Sequence, residues 1–369
     1  MDNLEEQLNE LISRVGEICK GAVDAAVKRQ NELAKPPGSL GMLESLSAQV
    51  AGITGKVSNK IEKKRLLVFC ADNGVVCEGI ASTPQSVTES QTVNLAHGKT
   101  GAAVIARELD CEVKVYDVGV NAEINDPCVI SKKTAFGTKN IANGPAMTRE
   151  QALEALLTGA DAAVQSAKDG VNVLGIGEMG IGNTTTAAAV LSVISGKSVK
   201  EVTGRGAGLT DGAYAKKIKV IEKAIELNKP DKKDIIDVIS KVGGFDIAAM
   251  TGAFIGSAAM RIPVVIDGFI SIVAALCAYK LCPNVKDYLI PSHASYEIGY
   301  RAAVDLLEVE PLFDLKMRLG EGSGCPISMT VLQTACAVLN NMATFEEAKI
   351  DDSYLLPIRN NDSFTVKGD

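Results

Sequence analysis

Apolar runs that end in glycine or polar residues recur along the chain after the first 60 residues. Five such runs read RLLVFCADNG, CEVKVYDVGV, VNVLGIGEMG, IPVVIDGF and DYLIPSH. Stretches with helical periodicity lie between them and predict helices over residues 91–108, 148–168, 184–195, 211–227 and 247–260. Strands that alternate with helices over short crossovers predict a doubly wound, mainly parallel, Rossmann-like sheet, and ligands bind such sheets at the carboxyl ends of the strands.

Both ends of the chain depart from this alternation. Residues 1–50 predict helices on both sides of KPPGSLG, whose prolines and glycines forbid a continuous helix. The chain returns to a helical pattern in VLQTACAVLNNM near its end. We therefore predict a large α/β domain over residues 61–325, with a small helical lobe formed by residues 1–60 plus 326–369.

The composition narrows the class of protein. With 34 glycines, no tryptophan and 46% hydrophobic residues among 369, the chain suits a sheet that helices bury on both faces. A net charge of −7 argues against a nucleic-acid partner, because binding phosphates requires clustered Lys and Arg. Nine cysteines without C-x-x-C spacing indicate neither a disulfide framework nor a zinc site, and they favour reduced thiols in a cytoplasm.

We expect neither export nor membrane insertion. The N-terminal segment is acidic and amphipathic, unlike the basic and then apolar layout of a signal peptide. The most apolar segment, IPVVIDGFISIVAALCAYKLC, is interrupted by Asp267 and Gly268 and leaves less than the ~20 residues needed to span a bilayer. It predicts a buried strand, a turn and a core helix.

The stretch VNVLGIGEMGIGNTTTAAAV allows two interpretations. Gly175, Gly177 and Gly180 have the G-x-G-x-x-G spacing of a dinucleotide site, but no strand leads to the acidic residue that should follow ~20 positions later. A lone phosphate fits better, because GIGNTTT places glycines where a helix begins and its free N–H groups attract an anion. For Asn183 or Thr184 taken alone, a helix N-cap is an equally good interpretation.

Two other motifs carry less weight as cofactor sites. AHGKTG resembles the end of a P-loop, but Val93 stands where the first glycine is required, and His97 is expected at a helix end. A chain whose histidines are His97 and His293 has little material for a multi-histidine metal site, and no carboxylate and histidine cluster has ligand spacing. We expect neither a metal ion nor another cofactor.

The segment MRLGEGSGCP places Glu321 between two glycines. Glycine leaves a neighbouring carboxylate uncovered and lets the backbone approach a ligand closely. A carboxylate so placed, when partly desolvated, gains basicity and suits a general base. A turn glutamate that points to water remains the alternative from spacing alone.

Eight motifs taken together resemble a known family. KPPGSLG, CADNGV, TPQSVT, GEMGIGNTTTAAA, KVGGFDIAAMTG, VVIDGF, YLIPSH and RLGEGSG are similar, in order and spacing, to motifs of the nicotinate-nucleotide:dimethylbenzimidazole phosphoribosyltransferases of cobamide biosynthesis. The resemblance implies a transfer of the 5-phosphoribosyl group of nicotinate mononucleotide onto a nitrogen of 5,6-dimethylbenzimidazole. The products are nicotinate and α-ribazole 5′-phosphate, and the domain over residues 61–325 is the catalytic one.

The resemblance also implies roles for single residues. Glu321 is the general base that removes the acceptor's N–H proton. The residues expected around the ribose phosphate are Glu178, Gly180, Asn183, Lys217 and Ser292, with Arg205 added from its position alone. The residues expected around the acceptor are Thr83, Gln91 and Leu319. Asp267 is either a structural or a ribose-contacting carboxylate.

Departures from the family pattern concern the acceptor. The chain has Asn73, Thr83, Cys325 and Pro326 where the family often has His, Ser and small residues. Some relatives glycosylate phenol or p-cresol as pairs of unlike subunits, so a heterodimer with a homologue is the alternative to the usual homodimer. Two other classes stay open: an NAD-dependent oxidoreductase built on the 175–180 glycines, and a non-catalytic nucleotide-binding partner.

Overall fold

The computed structural model describes residues 2–206 and 208–355, and its centre is a six-stranded parallel sheet. The strands are β1 (Lys64–Ala71), β2 (Cys111–Gly119), β3 (Val129–Ser131), β4 (Val173–Met179), β5 (Val264–Ile266) and β6 (Leu289–Pro291). Their order is β3-β2-β1-β4-β5-β6, and every neighbouring pair is parallel. This order defines a doubly wound Rossmann-like sheet whose direction of growth reverses between β1 and β4, which confirms the predicted fold class.

Helices cover both faces of this sheet or lie near the chain ends. They are α1 (Asp2–Ser13), α2 (Lys20–Glu32), α3 (Met42–Thr54), α4 (Val87–Ala96), α5 (Gly101–Glu108), α6 (Arg149–Lys168), α7 (Asn183–Ser195), α8 (Val199–Val202), α9 (Asp211–Asn228), α10 (Ile235–Val242), α11 (Phe245–Ala259), α12 (Phe269–Leu281), α13 (Ile298–Leu307), α14 (Cys325–Asn341) and α15 (Phe345–Ala348). Short 3₁₀ turns lie at Gly74–Glu78, Pro283–Tyr288 and Ser353–Leu355. Four of the five predicted helices are present with ends that differ by at most two residues.

The core lies where the sequence shows uninterrupted apolar runs. Every residue of β1 and of β4 is buried, as expected for central strands covered by helices on both faces. The apolar segment around Asp267 folds as predicted, with β5 buried, a turn at Gly268 and α12 as a core helix. Among the described residues, none of the helices is both long and apolar enough to cross a membrane.

The predicted helix over residues 91–108 is wrong because the chain breaks at residues 97–100. His97 caps the C-terminal end of α4, and Gly98 follows with a φ of +70°. Thr100 then starts a new helix, with its hydroxyl accepting the Ala103 N–H at 3.4 Å. The break points the N-terminus of α5 toward the segment that carries Glu321. The three-residue strand β3 was not predicted either.

The chain divides into two compact units. The larger contains Met1–Gly16 and Lys63–Met329, and the smaller contains Glu17–Glu62 and the residues from Thr330 onward. The predicted lobe took the first 60 residues together, but α1 belongs to the larger unit, where Arg149 pairs with Glu5 at 2.7 Å. The predicted lobe also included residues 356–369, which lie outside the described residues.

The smaller unit has a core of small side chains. Ala22 and Ala26 of α2 pack with Ala48 and Ala51 of α3 and with Leu339 of α14. Small residues let the helices approach closely.

The KPPGSLG turn of the smaller unit is fixed by a buried ion pair. Lys35 Nζ lies 2.6 Å from a Glu44 carboxylate oxygen, and the same oxygen accepts the Leu40 N–H at 3.1 Å. The loop that the prolines predicted is therefore held at its two ends by one carboxylate.

Candidate active site

A cleft of about 330 Å³ opens in the larger unit at the carboxyl ends of β4 and β5. This is the side on which doubly wound sheets bind ligands, next to the point where the strand order reverses. The predicted site residues that line it are Thr83, Gln91, Glu178, Gly180, Asn183, Arg205, Lys217, Leu319 and Glu321. The structure therefore brings together residues that are up to 238 positions apart in sequence, from Thr83 to Glu321.

The glycines at 175 and 177 have a packing role. Both lie within β4, where a Cβ on Gly177 would come 2.6 Å from the Gly322 backbone nitrogen. A Cβ on Gly175 would come 2.5 Å from the Cβ of Cys325. The segment at 320–325 thus lies directly on β4 because the strand lacks side chains there. These glycines do not face a pyrophosphate, and the dinucleotide interpretation is not favoured.

The turn from β4 into α7 directs two polar side chains into the cleft. Gly182, with a φ of +94°, is the N-cap, so the N-cap alternative for Asn183 and Thr184 is wrong. The Asn183 amide donates to the Glu178 carboxylate, and the Thr184 hydroxyl accepts a hydrogen bond from Lys217 at 2.8 Å. Both side chains are therefore occupied in the cleft rather than in capping their own helix.

We call Thr184, Arg205 and Lys217 the cationic wall of the cleft. Lys217 projects from α9 and is 1% exposed; its Nζ donates to Thr184 and, at 3.2 Å, to the Gly204 carbonyl. Burial lowers the pKa of Lys217 to about 8, while Glu297 opposes that change. The result is a desolvated ammonium that still carries its charge at neutral pH and is suited to an anionic ligand.

Arg205 stands at the rim of this wall. Its side chain is 49% exposed and pairs with Asp211 at 2.5 Å. The guanidinium also donates to the Leu209 carbonyl at 3.0 Å and lies over the Tyr214 ring. It already has partners on the protein, so it offers less to a ligand than Lys217.

We call Glu178, Asp267 and Glu321 the carboxylate wall. Glu321 is 5% exposed, and its carboxylate accepts the Ala102 N–H at 3.4 Å in the first turn of α5. Burial raises the pKa of Glu321, and the Asp267 charge adds to this, whereas hydrogen bonds from Thr100 and Ala102 act in the opposite direction. Glu321 is therefore a desolvated carboxylate of increased basicity, and the alternative of a turn residue that points to water is wrong.

The backbone that carries Glu321 is in a rare conformation. Gly320, Glu321 and Gly322 have φ values of +84°, +61° and +80°. A left-handed conformation costs a residue with a side chain roughly 1–2 kcal/mol, so the surroundings must stabilise it. Glu178, also in the carboxylate wall, accepts hydrogen bonds from the Asn183 amide and from the Glu321 backbone N–H. Burial and the charges of Asp246, Asp267 and Glu321 raise its pKa well above its usual value.

Ser292 differs from the other predicted site residues because it does not line the cleft. It is fully buried, and its hydroxyl donates to the Asp267 carbonyl at 3.1 Å. The next residue, His293, does line the cleft and stacks on Phe313, with 6.3 Å between ring centroids. The side chain that reaches the cleft from this segment is one position beyond the predicted one.

The predicted acceptor residues lie on the side of the cleft formed by α4 and the 318–321 segment. Gln91 projects from α4 with its carbonyl oxygen held by the Asn94 amide at 3.1 Å. Leu319 is 55% exposed and packs toward Gly101. An exposed leucine beside a buried carboxylate fits an aromatic ligand better than a second phosphate.

Glu297 is a cleft residue that the sequence did not reveal. It precedes α13, one of its carboxylate oxygens is buried without a hydrogen-bond partner, and burial raises its pKa. The charges of Lys217 and Arg318 oppose that increase. The segment ASYEIGY has no motif that distinguishes this glutamate from a surface residue, and no sequence signal indicated it.

A second cluster lies at the surface, outside the residues that line the cleft. His97 Nε2 is 2.8 Å from an Asp126 carboxylate oxygen, and the Cys128 N–H donates to the same carboxylate at 2.9 Å. The potential ligand atoms of these residues lie within 4.8 Å of one another. Their positions in sequence, 29 and 31 residues apart from His97, gave no ligand spacing.

The fold and the cleft define an α/β transferase for phosphorylated small molecules, and the comparison with known families is consistent with this class. The phosphoribosyltransferase family model matches residues 15–350. Relatives that match this chain over nearly their whole length identify the particular family.

The chain is 47% identical over 359 residues to the nicotinate-nucleotide–dimethylbenzimidazole phosphoribosyltransferase of Clostridium perfringens (strain ATCC 13124), covering 97% of this chain and 99% of that protein. The protein of the same name from Clostridium tetani is 45% identical and covers 95% and 98%. The crystal structure of CobT from Thermus thermophilus has a TM-score of 0.86 at 37% identity, covering 89% of this chain and 99% of that one. The chain belongs to the nicotinate-nucleotide–dimethylbenzimidazole phosphoribosyltransferase family.

Proposed function

We propose that this protein transfers the 5-phosphoribosyl group of nicotinate mononucleotide to a ring nitrogen of 5,6-dimethylbenzimidazole. One observation carries the proposal: a single cleft contains a buried ammonium, Lys217, and a buried carboxylate of increased basicity, Glu321. The donor needs a cation for its phosphate, and the acceptor needs a base for its proton. The family to which the chain belongs supports this assignment of substrates.

The reaction balances without a metal ion or another cofactor. The unprotonated nitrogen of the acceptor attacks the anomeric carbon from the α face, and the bond between that carbon and the nicotinate nitrogen breaks. The bonding electrons neutralise the pyridinium as nicotinate leaves. Glu321 takes the proton from the second acceptor nitrogen, so that the product base carries no positive charge in the cleft.

The cationic wall receives the ribose phosphate. Lys217 supplies a point charge, Thr184 a hydroxyl and Gly180 a backbone segment that lines the cleft, where its missing side chain leaves room for the Ala71 carbonyl. Asn183 and Glu178 are hydrogen-bonded to each other and are proposed to contact the ribose. Arg205 contributes from the rim, and Ser292 acts through its contact with the backbone of Asp267.

The acceptor lies against Leu319, with Thr83 and Gln91 as polar contacts. The flat, apolar ring of dimethylbenzimidazole matches an exposed leucine, and its N–H must point at Glu321 for the proton to transfer. Acceptor choice among benzimidazoles, purines and phenols depends on this pocket, while the base and the phosphate site are common to all of them.

We further propose a homodimer in the cytoplasm. All nine cysteines are free thiols, which suits a reducing compartment. A homodimer is the usual assembly of the family, and size-exclusion chromatography with light scattering measures it directly. A heterodimer with an unlike homologue is the competing outcome.

The test incubates the purified chain with nicotinate mononucleotide and, in separate reactions, dimethylbenzimidazole, adenine, phenol and p-cresol. Chromatography follows nicotinate release and the ribosylated product. Release with dimethylbenzimidazole supports the proposal, and release with phenols alone would replace the acceptor but keep the mechanism. No release in any reaction would overturn it, and NAD binding in a parallel calorimetric titration would favour the oxidoreductase instead.

A further inference from the structure

The loop that carries Glu321 is held by carboxylates on other elements. Asp267, which follows β5, accepts the Gly322 N–H with one oxygen at 3.0 Å and the Gly324 N–H with the other at 2.7 Å. Glu178 accepts the N–H of Glu321 itself. Two buried side chains thus bind three backbone N–H groups in a five-residue segment.

The packing around these bonds leaves Asp267 little freedom. Its own N–H donates to the Ser271 hydroxyl at 3.1 Å, and that hydroxyl donates to the Ile176 carbonyl of β4 at 2.9 Å. A Cβ on Gly324 would lie 2.7 Å from the Ser292 hydroxyl and 3.1 Å from the Asp267 carboxylate. The carboxylate is therefore clamped between the sheet and the loop.

Burial raises the pKa of Asp267, whereas the N–H groups on its two oxygens and the neighbouring His293 favour its ionised form. The ionised form also explains why Asp267 raises the pKa of Glu321. Each oxygen already accepts one backbone amide, so Asp267 has less capacity left for ribose hydroxyls even though it lines the cleft. These contacts favour the structural role of Asp267 over the ribose-contacting role.

We propose that Asp267 is a positioning residue for Glu321: by binding the Gly322 and Gly324 amides it holds the 320–324 loop, including its left-handed residues 320–322, in place. This inference rests on the proposed function, in which Glu321 is the general base. This role requires no contact between Asp267 and either substrate. Its effect reaches the reaction through the loop and through the electrostatic field.

The groups that face Glu321 come from several elements. They are Glu178 at the end of β4, Asp267 after β5, and the Thr100 hydroxyl with the Ala102 N–H at the start of α5. Arg318 and His293 line the same cleft. Replacing Asp267 removes one negative charge from this set and lowers the pKa of Glu321, so the acid limb of the pH profile moves to lower pH.

The test compares Asp267→Asn with Asp117→Asn in the full chain. Asp117 is the control because it too is a buried carboxylate near a strand end: one oxygen accepts the Gly119 and Val120 N–H groups at 3.1 and 2.9 Å, and the other lies 2.7 Å from Lys133 Nζ. It does not line the cleft. An asparagine at position 267 keeps the size of the side chain but can accept only one of the two N–H groups, whereas at position 117 its single oxygen can keep both.

For Asp267→Asn we expect kcat for nicotinate release to fall about 100-fold, since a displacement of about 1 Å in a catalytic group has such effects. KM for nicotinate mononucleotide stays close to wild type, the acid limb of kcat/KM moves to lower pH, and the Gly322 and Gly324 amides exchange hydrogen faster. Asp117→Asn removes a buried charge that pairs with Lys133 but leaves kcat and the acid limb unchanged.

An unchanged kcat in Asp267→Asn, or a loss of kcat with an unshifted acid limb, would overturn the inference. If this variant fails to fold, Asp267→Glu replaces it: the charge remains but the longer side chain displaces the loop, so kcat falls while the acid limb stays near wild type. A wild-type kcat in Asp267→Glu would also overturn it. An inactive wild-type enzyme refutes the proposed function instead, and the amide exchange still reports whether Asp267 holds the loop.

Discussion

Burial changes the pKa of the key side chain on both walls of the cleft, but in opposite directions. On the cationic wall, desolvation lowers the pKa of Lys217 to about 8 and so keeps an ammonium close to the point of losing its proton. On the carboxylate wall, desolvation raises the pKa of Glu321 and so favours the uptake of a proton. Lys217 is proposed to bind the phosphate charge that the donor already carries, and Glu321 to accept the proton that the reaction releases.

The walls also differ in what supports them. Lys217 is held by one hydroxyl and one carbonyl, and its own position lies within the regular helix α9. Glu321 has a positive φ and depends on the glycines of β4, on Asp267 and on the first turn of α5. We expect changes near Glu321 to act on the rate of reaction and changes near Lys217 to act on binding.

The largest effect is expected from Glu321→Gln, which keeps the size of the side chain and removes the base. Turnover should fall about 10²–10⁴-fold, the usual contribution of a general base, while the Kd for nicotinate mononucleotide stays near wild type. Glu154→Gln, on the exposed face of α6, is the control and should keep full activity. Near-normal turnover in Glu321→Gln would show that another group removes the proton.

Gly177→Ala tests whether the strand glycines support the loop. The new Cβ would meet the Gly322 backbone nitrogen at 2.6 Å, so the loop must move and kcat should fall about 100-fold. Gly212→Ala is the control, because its Cβ would meet nothing within 4 Å. Equal activity of the two variants, measured as nicotinate release, would contradict the packing role.

Lys217→Met removes the buried charge but keeps the length of the side chain. Loss of a charged hydrogen bond to the phosphate should raise the Kd for nicotinate mononucleotide about 10–100-fold, with little change in the rate constant of bound substrate. Lys216→Met, at the exposed neighbouring position, should bind normally. Calorimetry measures both, and an unchanged Kd in Lys217→Met would place the phosphate elsewhere.

The pH dependence should separate the walls without mutation. As pH rises through about 8, Lys217 loses its proton and KM for the donor increases. As pH falls through the raised pKa of Glu321, the base becomes protonated and kcat decreases, at a higher pH than for an ordinary carboxylate. Lys217→Arg should abolish the alkaline rise in KM, and a rise that persists in this variant would assign it to another group.

Arg205→Gln should have the smallest effect. Its side chain is half exposed and already paired with Asp211, and such pairs contribute little in water. We expect KM for the donor to rise about fivefold at most, measured in the same release assay. A loss as large as that of Lys217→Met would move Arg205 from the rim into the phosphate site.

The sheet was predictable because buried parallel strands leave a local signature. The runs before Asn73, Gly180 and Asp267 are uninterrupted apolar segments that end at polar residues, and each is a strand that ends at the ligand side. The positions of Glu321 and Lys217 in one cleft came from the resemblance to a family, since neither residue has a local motif that names its partner.

Other features depend on contacts between distant segments, which periodicity does not contain. The break at residues 97–100 lies within an apparently continuous helix, and it matters only because α5 must meet Glu321. Gly175 and Gly177 fit a dinucleotide motif in sequence, but the segment that packs on them lies far along the chain. The hydrogen bonds from the Gly322 and Gly324 amides to Asp267 likewise join distant segments and have no local sequence signal.

The division of labour between the walls is tested most directly by measuring two quantities in two variants. Calorimetry gives the Kd for nicotinate mononucleotide, and a single-turnover experiment with saturating donor and dimethylbenzimidazole gives the rate constant of transfer. Lys217→Met should change the Kd and keep the rate constant, and Glu321→Gln should keep the Kd and lower the rate constant. If the Kd rises in both variants, or the rate constant of transfer falls in both, then binding and proton transfer do not belong to separate walls and this account is wrong.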